Sequence, residues 1–141
     1  MHFEEHIDIE APPGRVWAVI TDIARWPEWT PTVDTLQVLD PAPFRLGQRA
    51  RLKQPGYPAA VWTVRSIEEG RAFMWDSGSL GMLTAANHVI EATPTGSHVV
   101  LSIDVGGPTA WLLGWIAARA TRQFVPQETV ALKRECERAA S

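Results

Sequence analysis

The last third of the chain carries one apolar stripe at helical spacing, which restricts the fold more than any other feature. It runs from residue 109 to about residue 139, after a Gly-Gly-Pro break at 106–108. At 1.5 Å per residue, about thirty residues form a helix of roughly 45 Å. Pro126 predicts a kink in it, because proline removes its own N–H donor and frees the Arg122 carbonyl. The stripe recurs at steps of four and three and comprises Trp111, Trp115, Ala118, Arg122, Val125, Thr129, Leu132 and Cys136.

The sequence before this helix alternates between apolar and polar residues, as strands do. Residues 3–9 predict a half-buried first strand. Apolar spacing then predicts a helix at 13–21, and Asp22 predicts the cap of a second short helix that Pro27 interrupts. Turn residues separate six further strands, at residues 32–39, 48–54, 60–68, 71–77, 82–93 and 98–105. An antiparallel sheet followed by helix is an α+β arrangement, and one long helix cannot contact a curved sheet everywhere.

Charged positions tell which face of each strand points to water, so their neighbours are assigned to the interior. On strand 82–93, Glu91 marks the wet face and turns His88 inward. Pockets for small molecules are usually lined by such apolar and aromatic side chains. The alternative is a solid core in which the same rings pack against one another. The predicted interior comprises Leu52, Gln54, Trp62, Val64, Phe73, Trp75, His88, Ile90, Leu101, Ile103, Trp111 and Trp115.

Composition argues against several classes of protein. The net charge is −3 and the thirteen basic residues are scattered, so no nucleic-acid partner is expected. Cys136 is the only cysteine, which excludes an internal disulfide and fits a reducing, cytoplasmic location. The first residues lack the pattern of a signal peptide. The most apolar segment, at 110–120, is about half the length that a bilayer requires, so no stable membrane insertion is expected.

Several stretches together resemble one superfamily over essentially the whole chain. They are IDIEAPPGRVWAVITDIARWPEW, LGQRARLKQPGYPAAVWTV, GRAFMWDS, NHVIEATPTGSHVVLSI and QETVALKRECE. They resemble the START/Bet v 1-like (SRPBCC) superfamily, in its polyketide cyclase/dehydrase-like branch. The resemblance implies a helix-grip fold over residues 1–141: a single ligand-binding domain with a seven-stranded antiparallel sheet curved around the C-terminal helix. Members of the superfamily bind lipids, hormones and polyketides, and some catalyse cyclisation or dehydration. The glycine-rich loop of the plant allergen branch is absent at 41–50.

The first functional hypothesis is reversible binding of a small hydrophobic molecule, aromatic or polyketide-like, in a cavity between sheet and helix. Arg122 is expected either at the rim, with its stem on apolar surface, or paired with a ligand carboxylate or phosphate. Glu128 is expected to be solvated or paired with a cation such as Lys133. The predicted ligand-binding residues are Leu52, Gln54, Trp62, Phe73, Trp75, His88, Ile90, Leu101, Ile103, Trp115 and Arg122.

Two alternatives stay open. In the first, the protein is a cofactor-independent cyclase or dehydratase, with His88 as general acid/base and Gln54 as a donor to a carbonyl. No inward carboxylate that could orient His88 is evident. In the second, an exposed apolar face at 111–116 serves a homodimer or a membrane surface, unless residues 30–31 and the Trp26/Trp29 helix cover it.

Neither a metal nor an organic cofactor is expected. His2, His6, His88 and His98 fall on separate predicted elements without a metal-ligand spacing. No phosphate-cradling glycine loop and no nucleophile motif is present, and Cys136 lies near a helix C-terminus that disfavours a thiolate.

Overall fold

A computed structural model describes residues 1–41 and 43–138. In this part of the chain all seven predicted strands are present and form one antiparallel sheet, in the order β1-β7-β6-β5-β4-β3-β2. The predicted bounds for β4 and β6 are those observed. The strands are β1 His2–Ile9, β2 Thr35–Val38, β3 Arg49–Lys53, β4 Ala60–Glu68, β5 Ala72–Ser79, β6 Met82–Thr93 and β7 Gly96–Gly106.

The helices also follow the predicted order. Helix α1 spans Pro13–Thr21, as predicted, and is followed by a 3-10 turn at Ile23–Arg25, by α2 at Trp26–Trp29 and by α3 at Ala110–Arg138. The expected end of α3 at residue 139 lies outside the described residues. None of the helices in the described part of the chain is long and apolar enough to span a membrane.

The details of the second short helix differ from the prediction. Pro27 does not interrupt a helix; it lies in the first turn of α2, where a missing N–H is tolerated because that donor has no partner inside the helix anyway. The Asp22 side chain makes no capping hydrogen bond, and its backbone N–H donates instead to the Ala18 carbonyl. The chain therefore turns through a 3-10 segment, which brings Trp26 into the core with 3% of its surface exposed.

A glycine allows the sheet to close against the start of the chain. β1 pairs with β7 along its whole length, from His2 opposite Asp104 to Ile9 opposite Ser97. Gly96, which begins β7, has φ of +151°, and a Cβ there would lie 2.2 Å from the Ile9 carbonyl oxygen. Only glycine accepts both conditions. The Ser97 hydroxyl donates to the Ala11 carbonyl at 2.7 Å and holds the same junction.

The end of α3 is fixed by apolar burial and by hydrogen bonds. Leu132 is 1% exposed and Cys136 is fully buried, in one core with residues of α1, β1 and β7. Lys133 Nζ donates to the Asp8 carbonyl at 3.0 Å. The Glu10 N–H donates to the Glu137 carboxylate at 2.8 Å. This part of the helix therefore packs directly on the sheet and α1.

The predicted helix stripe is wrong at its beginning. Trp111 and Trp115 are 84% and 63% exposed, whereas Gly114 is buried beneath the side chain of Met1. A Cβ on Gly114 would lie 2.3 Å from the methyl carbon of Met1, so the helix approaches the start of β1 closely. Glycine has no side chain that contributes to an apolar pattern. The sequence pattern therefore assigns the neighbouring tryptophans, and not Gly114, to the buried stripe. From Ala118 onward the stripe contains the buried positions Ala118, Thr129, Leu132 and Cys136.

Candidate ligand-binding cavity

A cavity of about 440 Å³ lies between the sheet and the first part of α3. Its sheet side is mainly apolar and includes Leu52, Trp62, Trp75, Ala86, His88, Leu101 and Ile103. Its helix side consists of Leu113, Ile116, Ala117, Ala120, Thr121, Phe124, Val125 and Glu128. Other lining residues include Trp26 from α2 and Gln54, Tyr57 and Pro58 from the loop after β3. This volume falls within the range of about 300–1,000 Å³ that is usual for small-molecule sites.

Three of the seven tryptophans form one aromatic wall of this cavity. The Trp75 ring lies 5.2 Å from Trp26 and 5.6 Å from Trp62, between ring centroids. Trp26 is fixed because its indole N–H donates to the Ile20 carbonyl at 3.0 Å. The wall is therefore held by α2 on one side and by neighbouring strands on the other.

The other four tryptophans do not line the cavity. Trp17 is half-buried with its N–H 3.3 Å from a Glu69 carboxylate oxygen, and Trp29 packs edge-on against Trp26 at 6.1 Å. Trp111 and Trp115 are exposed. The abundance of tryptophan therefore has three separate causes: a cavity wall, the edge of the core and a surface patch.

His88 points inward, as predicted from the polarity of its strand, and is 6% exposed. Its ring stacks on Phe73 with centroids 4.1 Å apart and an interplanar angle of 9°. Nδ1 lies 3.4 Å from the Phe73 carbonyl oxygen, which can only accept, so Nδ1 carries the proton and Nε2 is left as an acceptor. Burial lowers the pKa of His88 to about 4, against a smaller opposing effect of the Phe73 carbonyl. The imidazole is therefore neutral at physiological pH.

Glu128 is the functional candidate that sequence reasoning missed. It was expected in solvent or beside Lys133, but Lys133 donates to Asp8 and Glu137 instead, and Glu128 lines the cavity. Burial alone raises the pKa of its carboxyl to about 7. No other described residue makes a hydrogen bond or ion pair with it. A recognisable signal did exist, a second helical stripe of cavity-lining residues at steps of four, three, four and four: Leu113, Ala117, Ala120, Phe124 and Glu128.

Seven of the eleven residues predicted to bind a ligand lie in the cavity wall. Their contact with a ligand stays a prediction. They are Leu52, Gln54, Trp62, Trp75, His88, Leu101 and Ile103.

The other four predicted ligand-binding residues lie elsewhere. Phe73 and Ile90 point inward but are packed in the solid core, at 1% and 3% exposure. Trp115 is exposed, for the reason given above for the helix stripe. Arg122 is also exposed, and its guanidinium lies 5.4 Å from the ring centroid of Phe3 on β1, so it neither lines the cavity nor closes it. Strand alternation identifies the inner face, but it does not tell which inner residues meet a helix and which meet a cavity.

The cavity reaches the surface at an exposed apolar region that we call the rim patch: Leu80, Trp111, Leu112, Trp115 and Ile116. Leu80 and Ile116 belong to both, because each lines the cavity and is exposed, by 80% and 37% respectively. The Thr109 hydroxyl donates to the Leu80 carbonyl at 2.7 Å and ties the β5–β6 turn to the start of α3. The 84% exposure of Trp111 shows that residues 30–31 and α2 do not cover this face, contrary to the alternative considered from the sequence.

Three of the four histidines lie on the outer face of two neighbouring strands, His2 and His6 both on β1 and His98 on β7, which corrects the expectation that the four fall on separate elements. His6 Nδ1 lies 3.0 Å from His98 Nε2 across β1 and β7, and His98 Nδ1 lies 2.7 Å from Asp8. His2 Nδ1 lies 2.6 Å from Asp104, which raises the pKa of His2. Within residues 1–41 and 43–138, no group of three or more side chains is arranged to hold a metal ion.

A seven-stranded antiparallel sheet, a long C-terminal helix and a cavity between them define the helix-grip class of proteins. The family described as polyketide cyclase/dehydrase and lipid transport matches residues 1–137, and the chain belongs to that family. No curated protein matches the sequence.

Solved structures with low sequence identity share this fold. TTHA0849 from Thermus thermophilus superposes with a TM-score of 0.79 at 18% identity, covering 100% of both chains. The Zhui aromatase/cyclase from Streptomyces sp. R1128 gives a TM-score of 0.75 at 19% identity, covering 100% of this chain and 96% of that one. Ara h 8.0201 gives 0.75 at 12% identity, covering 96% and 97%.

Proposed function

We propose that this chain, as one ligand-binding domain over residues 1–141, reversibly binds a small hydrophobic molecule of aromatic or polyketide-like shape. The observation that carries the proposal is the cavity of about 440 Å³ between the sheet and α3. A solid core, the alternative considered from sequence, would leave no such space. The ligand would lie on the wall formed by Trp26, Trp62 and Trp75.

The chemistry of the wall supports this class of ligand. Burial of apolar surface contributes about 25 cal/mol per Å², so a hydrophobic guest gains most of its affinity from area alone. Flat indole faces add offset-stacking contacts with aromatic rings, worth about 0.5–1.5 kcal/mol each. Gln54 and His88 Nε2 offer a few polar points that could orient such a guest. The aromatase/cyclase among the structural neighbours is consistent with a ligand of this shape.

Native mass spectrometry of freshly purified protein tests the proposal, because a bound molecule would appear as an added mass that is lost on denaturation. A thermal-shift screen of hydrophobic and aromatic compounds follows, since a ligand that binds only the folded state raises the melting temperature. The proposal predicts a saturable shift with at least one compound class. Absence of both an added mass and any saturable shift would contradict it.

A catalytic role for His88, as a cofactor-independent cyclase or dehydratase, is the second candidate. His88 lies in the cavity wall with Nε2 available, which favours this role. Its pKa of about 4 makes it a weak base at neutral pH, and no carboxylate among the described residues hydrogen-bonds to it. In an enzyme, His88→Ala should abolish turnover while ligand affinity stays within about tenfold. A carrier has no turnover to lose.

The rim patch supports a third candidate, an interaction module in which two copies of the chain associate. Trp111 and Trp115 present large apolar surface there, and exposed patches of this kind often mark interfaces. The expected result is an apparent mass that rises with concentration in light scattering. Trp111→Ser together with Trp115→Ser should keep the mass at that of a monomer. If the wild-type mass is monomeric at every concentration, this candidate is wrong.

A further inference from the structure

We propose that Glu128 makes the cavity selective for hydrophobic molecules that carry a protonated amine, in preference to neutral or anionic molecules of the same size. The inference rests on the proposed binding function and adds the charge of the ligand to it. It follows from three features of the cavity: an unpaired acid, an excess of aromatic rings and a lack of basic side chains.

The first feature is the position of Glu128. Its side chain is half-buried by protein, and Glu128 also lines the cavity. No hydrogen-bond donor or cation of the described chain pairs with its carboxyl, and Lys133, in the next turns of the helix, is engaged by Asp8 and Glu137. A carboxylate that is partly shielded from water and has no partner is destabilising. A cationic guest would supply the missing partner.

The second feature is the charge balance of the lining. Among the described residues that line the cavity, Glu128 is the only acid and there is neither a lysine nor an arginine. Arg122, the nearest basic candidate from sequence, lies over Phe3 outside the cavity. A ligand carboxylate or phosphate would therefore lose its hydration without gaining a counter-charge, and it would also meet Glu128. The cavity discriminates against anions on both grounds.

The third feature is the number of aromatic rings that line the same cavity as Glu128. Phe124 lies one helical turn before it, and the Tyr57 ring packs edge-on against Phe124 at 5.7 Å. Trp26, Trp62 and Trp75 form the wall described above. Faces of aromatic rings attract ammonium groups, and this attraction is stronger in a desolvated site. A carboxyl group combined with aromatic rings is the chemistry that recognises a protonated amine. A neutral carbonyl compound is attracted to these groups far less strongly.

Ionisation of Glu128 provides a pH signature for the selectivity. Its pKa of about 7 means that the carboxylate fraction rises roughly tenfold between about pH 6 and pH 8. The other titratable groups facing the cavity are His88 on β6 and Tyr57 in the loop after β3. His88 stays neutral over that interval because burial holds its pKa at about 4. Affinity for an amine that remains protonated should therefore increase with pH, whereas affinity for an alcohol should not.

The experiment compares three probes with the same ring system: naphthylmethylamine, naphthylmethanol and naphthoic acid. Dissociation constants are measured by calorimetry at about pH 6 and pH 8 for the wild type and for Glu128→Gln. Glu91→Gln is the matched control, because Glu91 is exposed near the end of β6 and its substitution removes the same charge outside the cavity. At about pH 8 the amine should bind wild type and Glu91→Gln roughly tenfold more tightly than the alcohol, and the acid should bind most weakly.

In Glu128→Gln the ratio of amine to alcohol affinity should fall to about one and lose its pH dependence. The inference is overturned if the ratio is unchanged in Glu128→Gln, or if the acid binds wild type as well as the amine does. Binding of the alcohol without any amine preference would defeat the inference and leave the binding function standing. If none of the probes binds and the wider hydrophobic screen also finds no ligand, the amine selectivity and the proposed binding function are both wrong.

Discussion

The two parts of α3 differ in what they contact, although they belong to one helix. We call Leu113–Glu128 the cavity segment and Thr129–Arg138 the anchor segment. The anchor segment contains Leu132 and Cys136, at 1% and 0% exposure, and is hydrogen-bonded to residues around the end of β1. The cavity segment turns small or polar side chains such as Ala117, Ala120 and Thr121 toward a space of about 440 Å³. One helix thus both stabilises the fold and encloses the site.

The difference between the two segments indicates which part of α3 determines stability and which part determines binding. Pro126 lies close to the boundary, and the Thr129 hydroxyl donates to the Pro126 carbonyl at 2.8 Å. The helix continues through this position over Ala110–Arg138, and a kink there stays a prediction. Substitutions of apolar side chains in the anchor segment should change the free energy of unfolding, while those of apolar side chains on the cavity face of the other segment should change affinity. Glu128 is the exception on the cavity face, because its carboxylate has no partner and therefore also lowers stability when it is charged. The following experiments test that division, starting with the largest expected effect.

Leu132→Ala should lower the free energy of unfolding by about 3 kcal/mol, because it removes buried methyl groups from a solid core and leaves a new void. Leu113→Ala, on the cavity segment, should cost less than about 1 kcal/mol, because the Leu113 side chain already borders open space. Both values come from urea denaturation followed by tryptophan fluorescence. Equal losses in the two variants would contradict the division of the helix.

Two glutamates on α3 should respond to pH with opposite signs. The folded-state pKa of Glu128, about 7, lies above its ordinary value, so its stabilising contribution is complete below about pH 4.5 and is lost as pH rises through 7. The free energy of unfolding of Glu128→Gln should therefore be higher than that of the wild type by up to about 3 kcal/mol at pH 8. This difference should disappear by about pH 4.5.

Glu137, in the anchor segment, supplies the contrast. Hydrogen bonds from the Glu10 N–H and from Lys133 lower the pKa of its carboxyl, so its contribution is present above its ordinary pKa and is lost on acidification. Glu137→Gln should be less stable than the wild type at pH 7, by a smaller amount because the side chain is partly exposed. Urea midpoints from pH 4 to 8 measure both trends. If the stabilities of the two variants relative to the wild type changed with pH in the same direction, the opposite pKa shifts of Glu128 and Glu137 would be refuted.

Two alanines in the cavity segment separate its faces. Ala118 is 5% exposed and does not line the cavity, whereas Ala120 lines it. Ala118→Leu should overpack the buried surroundings of this residue and cost about 1–3 kcal/mol. Ala120→Leu should leave stability within about 1 kcal/mol and weaken binding of an aromatic probe by about tenfold or more, since it fills ligand space. Calorimetry gives the affinity for the probe, and denaturation of the same samples gives the free energy of unfolding. If Ala118→Leu weakened binding and Ala120→Leu lowered stability, the cavity would lie on the Ala118 face of the helix, contrary to this description.

The smallest effect is expected at the rim patch. Trp111→Ser should change the free energy of unfolding by no more than about 0.5 kcal/mol, because the side chain is 84% exposed. Trp26→Phe, by comparison, loses the hydrogen bond to the Ile20 carbonyl and part of the buried indole, and should cost about 1–3 kcal/mol. A large loss from Trp111→Ser would mean that the start of α3 is covered in solution.

Much of the fold could be read from the sequence because strands and helices have different apolar periods. The period of two assigned His88, Trp62 and Trp75 to the inner face, and all three line the cavity. The start of α3 could not be placed in this way, since Gly114 approaches Met1 only because it has no side chain. A pattern that scores apolar surface does not register a residue chosen for its small size.

The candidate site was harder to predict than the fold. The sequence predicts that Glu128 is solvated or paired with Lys133, because a charged residue ordinarily stays in water or beside a counter-charge. Its burial depends on the phase of α3 relative to the sheet, which is set by the anchor segment through residues such as Leu132 and Cys136. Phe73 was assigned to the site because it faces inward, but whether an inward ring meets a helix or a ligand depends on long-range packing.

The pairing of β1 with β7 has a consequence for how the chain acquires its structure. His2 lies opposite Asp104, so the first strand obtains its hydrogen-bonding neighbour only about a hundred residues later. Contacts so distant along the chain slow folding, because loop-closure entropy is lost before they form. During synthesis on a ribosome, the amino-terminal strand should therefore remain exposed until the seventh has emerged, and this interval is when the nascent polypeptide most needs protection from aggregation.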